Sequence, residues 1–201
     1  IRIMENEQLE QLYYGKRIHD REDFTYLHEE CMRSQMSVCV PEPGILSMQY
    51  TKQEFPTYGT GDYRSPALTI AQENGSRIVN FTYAFHEIYN GKKNILPLPA
   101  TYVESGDEAQ TLEITLHDAV MDTDLILSYT IYEEYPVITR NAKVSHNGSE
   151  KIVLDKIMSA SVEFNDMDYE MVKRTVCEKQ KTGDGYPEYP EFERNLLWCR
   201  A

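Results

Sequence analysis

The sequence predicts an all-β protein, an antiparallel β-sandwich, and three observations predict it. Apolar and polar residues alternate in strand-length runs that recur about every ten residues. Gly, Asn and Pro punctuate those runs, with Asn-Gly pairs at Asn74-Gly75, Asn90-Gly91 and Asn147-Gly148. No helical crossover lies between them to build a parallel sheet.

Leu9 to Ile18 reads as a helix by its apolar spacing or as a strand ending at Gly15, and strand is the preferred reading. Residues 19 to 34 are charged and mixed, a polar loop or one short helical turn. Met36 to Val40, stopped by Pro41 and Pro43, and Ile45 to Tyr50 read as short edge strands. The stretch from Phe55 to Tyr83 organises the chain. Gly59 and Gly61 suit a sharp bend in the entering chain. Ala67 to Gln72 and Arg77 to Tyr83 then read as the two strands of a central hairpin, joined at Asn74-Gly75. Phe85 to Tyr89 leads to Asn90-Gly91 and a basic turn at Lys92 and Lys93, and Pro97 and Pro99 exclude helix just beyond. Thr111 to His117 alternates most cleanly, with Leu112, Ile114 and Leu116 on one face. Asp124 to Tyr132, Val137 to Val144 and Lys151 to Phe164 continue the pattern, with Asn147-Gly148 as a second hairpin signal. From Lys173 onward the alternation stops, so residues 172–201 are expected to be an irregular or disordered tail behind a domain of residues 1–171.

At 201 residues and 23.4 kDa the chain suits one domain with its own core. A net charge of −13 repels phosphate, which excludes nucleic acid and anionic membrane as expected partners. No apolar run nears the roughly 20 residues of a membrane span, and the chain opens without a signal-peptide pattern. Cys31, Cys39, Cys177 and Cys199 form neither a C-x-x-C pair nor a zinc spacing. The expectation is a cytoplasmic protein with free thiols, no metal and no cofactor. The fifteen Tyr are read first as half-buried sheet residues and second as a sugar-facing surface.

Residues that could carry chemistry are few. Asp62 and Arg64 in GTGDYR could hold sugar hydroxyls from one rim, although such a pair more often closes a turn. The loop from His19 to Arg33 carries carboxylates and two histidines without a spacing that singles out an acid and base. Gly59-x-Gly61 lacks the rest of a nucleotide fingerprint, and no serine or metal hydrolase motif is present. His86, His117 and His146 are expected to be satisfied or exposed residues and not ligands.

Four blocks nevertheless resemble the N-terminal domain of the retaining bacterial α-galactosidases of the raffinose and melibiose type. They are LYYGKRI at Leu12 to Ile18, YGTGDYRSPA at Tyr58 to Ala67 continued by ENGSRIVNF at Glu73 to Phe81, LPATYVE with EAQTLEITLHD from Leu98 to Asp118, and YPVITRNAKVSHNGSEKI from Tyr135 to Ile152. The resemblance implies a β-sandwich of the supersandwich type, here truncated and with its first strands missing. In that family the sandwich precedes a (β/α)₈ barrel, which holds both catalytic aspartates and hydrolyses α-galactosides through a covalent galactosyl-enzyme. The chain is thus expected to contain no catalytic residue and to be inactive alone. The resemblance also implies a homotetramer, in which a loop matching Phe24 to Arg33 reaches towards a neighbouring subunit's sugar pocket. Glu29 is the candidate acidic residue of that loop, with His28 and Glu30 as alternatives.

The tail departs from the family, and the reading frame offers a reason. Back-translated and moved one base forward, Arg174 to Ala201 can read ERYVKNRKLETGIQSIQSLRGTSSGAG, which resembles the family's own continuation. The expectation is a frameshift near Met171 to Arg174. The alternative function, of a different class, is a free-standing carbohydrate-binding or oligomerisation module. A third reading is a gene fragment without a selected function.

Overall fold

The computed structural model describes residues 1–15, 18–28, 48, 51–59, 61–95 and 101–163, together with the backbone of Glu170–Thr175 and Asn195–Arg200. Residues 1–14 and 18–163 form one compact unit, and 15–17 with 164–201 form another.

In the first unit three of the alternating runs, together with the stretch from Thr82 to Asn90, make one antiparallel sheet. Its strands are β4 (Thr82–Asn90), β5 (Ala109–Asp118), β6 (Thr123–Tyr132) and β7 (Ile138–His146), side by side in chain order. Leu112, Ile114 and Leu116 of β5 lie on the same face as Leu125, Leu127 and Tyr129 of β6, as period-two alternation requires. A second, two-stranded layer consists of β3 (Leu68–Gln72) paired antiparallel with β8 (Ile152–Ile157). Leu68 and Ile70 of β3 join Ile114, Leu116, Leu125 and Leu127 in one buried cluster, which makes the unit an antiparallel sandwich. Near the N-terminus β1 (Arg2–Ile3) and β2 (Leu9–Glu10) form a small ladder around a turn in which Glu7 has a positive φ.

The central hairpin expected between Ala67 and Tyr83 does not form. The turn itself is present: Gly75 has φ +83°, and its N–H donates to the Gln72 carbonyl at 2.9 Å. Beyond it, however, Arg77 to Phe81 is not a strand of β3's sheet. It carries buried Val79 and Phe81 across the core to the other layer, where β4 begins. The second hairpin signal is corrected in the same way. Asn147-Gly148 ends β7 and sends the chain back to β8, whose partner is β3 and not β7. Gly148 also has a different reason to be glycine, since a Cβ there would collide with the Met121 carbonyl oxygen. Both Asn-Gly turns are therefore crossings between layers. The Glu73 carboxylate ties them together by accepting the Lys151 N–H.

Other readings fare unevenly. Gly59 and Gly61 have φ +104° and +83°, as a sharp bend requires. Among the described residues of Leu9 to Ile18, strand is found at Leu9 and Glu10 alone, and a 3-10 turn at Thr25–Leu27 supplies the helical turn read between 19 and 34. Met36 to Val40 and, except for buried Met48, Ile45 to Tyr50 lie outside the described residues, as do Pro97 and Pro99. In the second unit β9 (Glu170–Thr175) pairs antiparallel with β10 (Asn195–Arg200), so part of the stretch expected to be irregular is strand.

Candidate functional site

The Asp62 and Arg64 pair closes a turn. The Asp62 carboxylate accepts the Arg64 backbone N–H at 2.9 Å, the Arg64 Nε at 2.9 Å and the Gln53 amide at 2.7 Å. The guanidinium in turn donates to the Thr51 carbonyl at 2.7 Å, the Met48 carbonyl at 3.2 Å and the Glu163 carboxylate at 2.6 Å. The Asp62 bond raises the Arg64 pKa, as does the nearby Glu163 charge. Glu163 is also held by the Gln11 side-chain amide, which donates to its carbonyl and accepts from its N–H. This network pins Met48, Thr51 and Glu163 around one turn, in place of the sugar-holding rim considered from sequence.

The loop candidate is met only at its start. Glu29 and Glu30 lie outside the described residues, whereas His28 is within them. Its Nδ1 sits 2.5 Å from Oε1 of Glu10, a carboxylate buried on β2, with Arg2 3.6 Å from the other oxygen. His28 thus anchors the chain against β2 immediately before Glu29.

A third cluster escaped the sequence reading. Arg140 on β7 reaches the buried Glu54 carboxylate at 2.6 Å, and the Tyr129 hydroxyl donates to the same oxygen at 2.8 Å. Arg140 also donates to the Glu54 and Ser161 carbonyls, and its guanidinium lies over the rings of Tyr129 and Phe55. Burial pushes the Glu54 pKa up, partly offset by the Arg140 charge. Burial first, then the Glu54 charge, also raises the Tyr129 phenol. The available signal was register: Arg140 falls on the same face of β7 as Ala142 and Val144, where an unpaired charge would be costly.

His86, His117 and His146 each have a polar neighbour, respectively the Tyr83 hydroxyl, the Asp124 carboxylate and the Thr123 hydroxyl. Among the described residues no cluster of His, Cys, Asp and Glu could hold a metal ion, and no helix is long and apolar enough to cross a membrane. A cavity of about 10 Å³, lined by Gln8, Leu9, Gln53, Phe55, Thr57, Phe81 and Leu116, has space for a water and not for a sugar.

Fold and chemistry together define an all-β domain whose described polar clusters hold its own segments in place. Residues 7–175 match the glycosyl hydrolase family 36 N-terminal domain, and the chain belongs to that family. It is 42% identical over 132 residues, 66% of its length, to alpha-galactosidase AgaA of Geobacillus stearothermophilus. It is 32% identical over 162 residues, 81% of its length, to the bifunctional alpha-galactosidase/sucrose kinase AgaSK of Mediterraneibacter gnavus. Those stretches are 18% and 17% of the two relatives, so the chain spans less than a fifth of either. Among solved structures, an AgaA variant in complex with raffinose superposes with a TM-score of 0.77 at 36% identity, covering 86% of this chain and 24% of that one. The alpha-galactosidase of Lactobacillus brevis does so with a TM-score of 0.77 at 32% identity, covering 86% and 23%.

Proposed function

We propose that this chain is the N-terminal part of an α-galactosidase that releases terminal α-galactosyl residues from galacto-oligosaccharides with retention, and that the two catalytic carboxylates lie in polypeptide beyond it. The observation that carries this reading is the family match over residues 7–175. The active protein in this reading is a cytoplasmic homotetramer. Glu29 is the acidic residue presented to a neighbouring subunit's sugar, and the anchoring of His28 on Glu10 one residue earlier supports a fixed root for that loop. The reading includes a frameshift near Met171 to Arg174. In its favour, the family match ends at residue 175, beside the point where the printed frame departs from the resemblance.

The test is the nucleotide sequence through the codons for Met171 to Ala201 and beyond, followed by expression of the frame that continues the family sequence. The expected product hydrolyses raffinose and melibiose, while the 201-residue chain releases nothing from a chromogenic α-galactoside. In the longer product Glu29→Gln is expected to raise KM several-fold with a smaller change in kcat. A shifted frame that closes within a few codons, or a longer product without turnover, overturns the proposal. Binding of raffinose by the short chain at better than about millimolar affinity would point instead to a free-standing binding module.

A further inference from the structure

Asn74, Asn90 and Asn147 are each followed by a glycine. Such a pair can react with itself, because glycine lacks the Cβ that would shield its backbone nitrogen from the asparagine side chain. The fold treats the three nitrogens differently. The Gly75 N–H is held by the Gln72 carbonyl at 2.9 Å, and the Asn74 side-chain oxygen accepts the Ser76 N–H at 2.8 Å. Gly91 is buried, and its N–H donates to the Ala109 carbonyl at 2.6 Å. The Gly148 N–H, by contrast, donates to no acceptor among the described residues. Asn147 is exposed, and among those residues its side chain makes one long hydrogen bond, 3.3 Å from its amide nitrogen to Oδ2 of Asp124.

We infer that Asn147 is a site of spontaneous deamidation, with water as the co-reactant, and that the fold directs the reaction there and away from Asn74 and Asn90. The Gly148 nitrogen gives its proton to solvent and bonds to the Asn147 side-chain carbonyl carbon. The bond from that carbon to the side-chain nitrogen breaks, and the nitrogen takes up a proton and leaves as ammonia, closing a five-membered succinimide. Water then adds to one of the two ring carbonyl carbons and the ring opens. Opening at the side-chain carbonyl gives aspartate, and opening at the backbone carbonyl gives isoaspartate; no atom is oxidised or reduced. Both products disturb the crossing from β7 to β8. The new carboxylate stands where the amide met Asp124, so a hydrogen bond gives way to two like charges in a chain that already carries −13. Asp124 is also the partner of His117 at 2.8 Å, which carries the disturbance to β5. Isoaspartate in addition lengthens the backbone by one methylene just before Gly148. That glycine lies so close to the Met121 carbonyl oxygen and the His146 ring that not even a Cβ fits. Loss of ammonia makes the change one-way, so it loosens the root of β8 as the protein ages.

The test ages the 201-residue chain in warm, mildly alkaline buffer made with heavy-oxygen water, with and without urea, and maps the label by peptide mass spectrometry that separates aspartate from isoaspartate. In the folded chain Asn147 is expected to take up label about tenfold faster than Asn74 or Asn90, the advantage of a nucleophile that need not first give up a hydrogen bond. In urea the three rates are expected to converge. The inference is overturned if Asn74 or Asn90 reacts as fast as Asn147 in the folded chain, or if Asn147 reacts only in urea. It is equally overturned if the same order persists in urea, since neighbouring sequence and not the fold then sets it. The consequence has its own measurement. Asn147→Asp is expected to lower the melting temperature by about 2–4 °C, and by less in an Asp124→Asn background, where the second charge is gone. An equal loss in both backgrounds would overturn the assigned repulsion.

Discussion

Arg140 and Glu54, 86 residues apart in sequence, meet at 2.6 Å in the interior, and the same guanidinium also holds the Glu54 carbonyl at 2.9 Å. One side chain of β7 therefore fixes both the charge and the backbone of the segment that leads into Phe55. Arg140→Met leaves the Glu54 carboxylate buried without its counter-charge. The expected loss is about 3–5 kcal/mol in urea-induced unfolding. Glu54→Leu combined with Arg140→Met is expected to recover much of it, because neither member is then left unpaired.

The same carboxyl makes a pH prediction. Burial raises the Glu54 pKa above its ordinary 4.5, so between 4.5 and the raised value the folded state binds more protons than the unfolded state. This group's contribution to stability is consequently present at low pH and falls as pH rises through that window. Glu54→Gln removes the slope. The check is the difference in unfolding free energy between wild type and variant from pH 4.5 upward, which cancels the opposite slope of carboxylates such as Asp23, whose pKa is lowered by the Thr25 N–H.

Two glycines of Asn-Gly pairs should respond differently to alanine. At Gly75 a Cβ meets open space, and the cost is that of a positive φ, about 1 kcal/mol. At Gly148 a Cβ strikes the Met121 backbone, which cannot give way as a side-chain tip could, and a cost of about 1–3 kcal/mol is expected. Thermal melts of Gly75→Ala and Gly148→Ala decide the order; equal shifts would contradict it.

Leu68 and Leu127, both fully buried, belong to opposite layers of one core cluster. Leu68→Ala and Leu127→Ala are each expected to cost about 2–5 kcal/mol, and a loss under about 1 kcal/mol at Leu68 would show that the narrow layer is not packed on the sheet.

Three consecutive strands of the four-stranded sheet, β5, β6 and β7, were legible because their information is local. In Thr111 to His117 and Asp124 to Tyr132 every second residue is apolar, and short connections leave little choice of partner. In the other layer the strands were legible but their pairing was not, for a physical reason: Asn74-Gly75 specifies the turn through glycine's freedom at positive φ, but a turn does not choose which strand comes next to β3. That choice is made by Val79 and Phe81, which bury in the crossing, and by Ile152, which packs against the core from the far end of the chain. Among the candidate residues, Asp62 and Arg64 were found as a pair but their role was fixed by distant carbonyls that no spacing records. Arg140 could have been found from its register in β7. Its partner Glu54 could not, because nothing local marks that residue as buried.

The pairing of β3 with β8 also governs when the protein can fold. Gln72 finds Ile152, eighty residues further on, and every strand of the larger sheet is made in between. During synthesis at about 5–20 residues per second, β3 leaves the ribosome roughly 4–16 s before its partner exists. Through that interval Leu68 and Ile70 have only the growing sheet to shelter against. The order of assembly is thereby set, with the four consecutive strands first and the narrow layer closing last, and loss of chain close to β8 would strand the nascent protein at its most aggregation-prone stage.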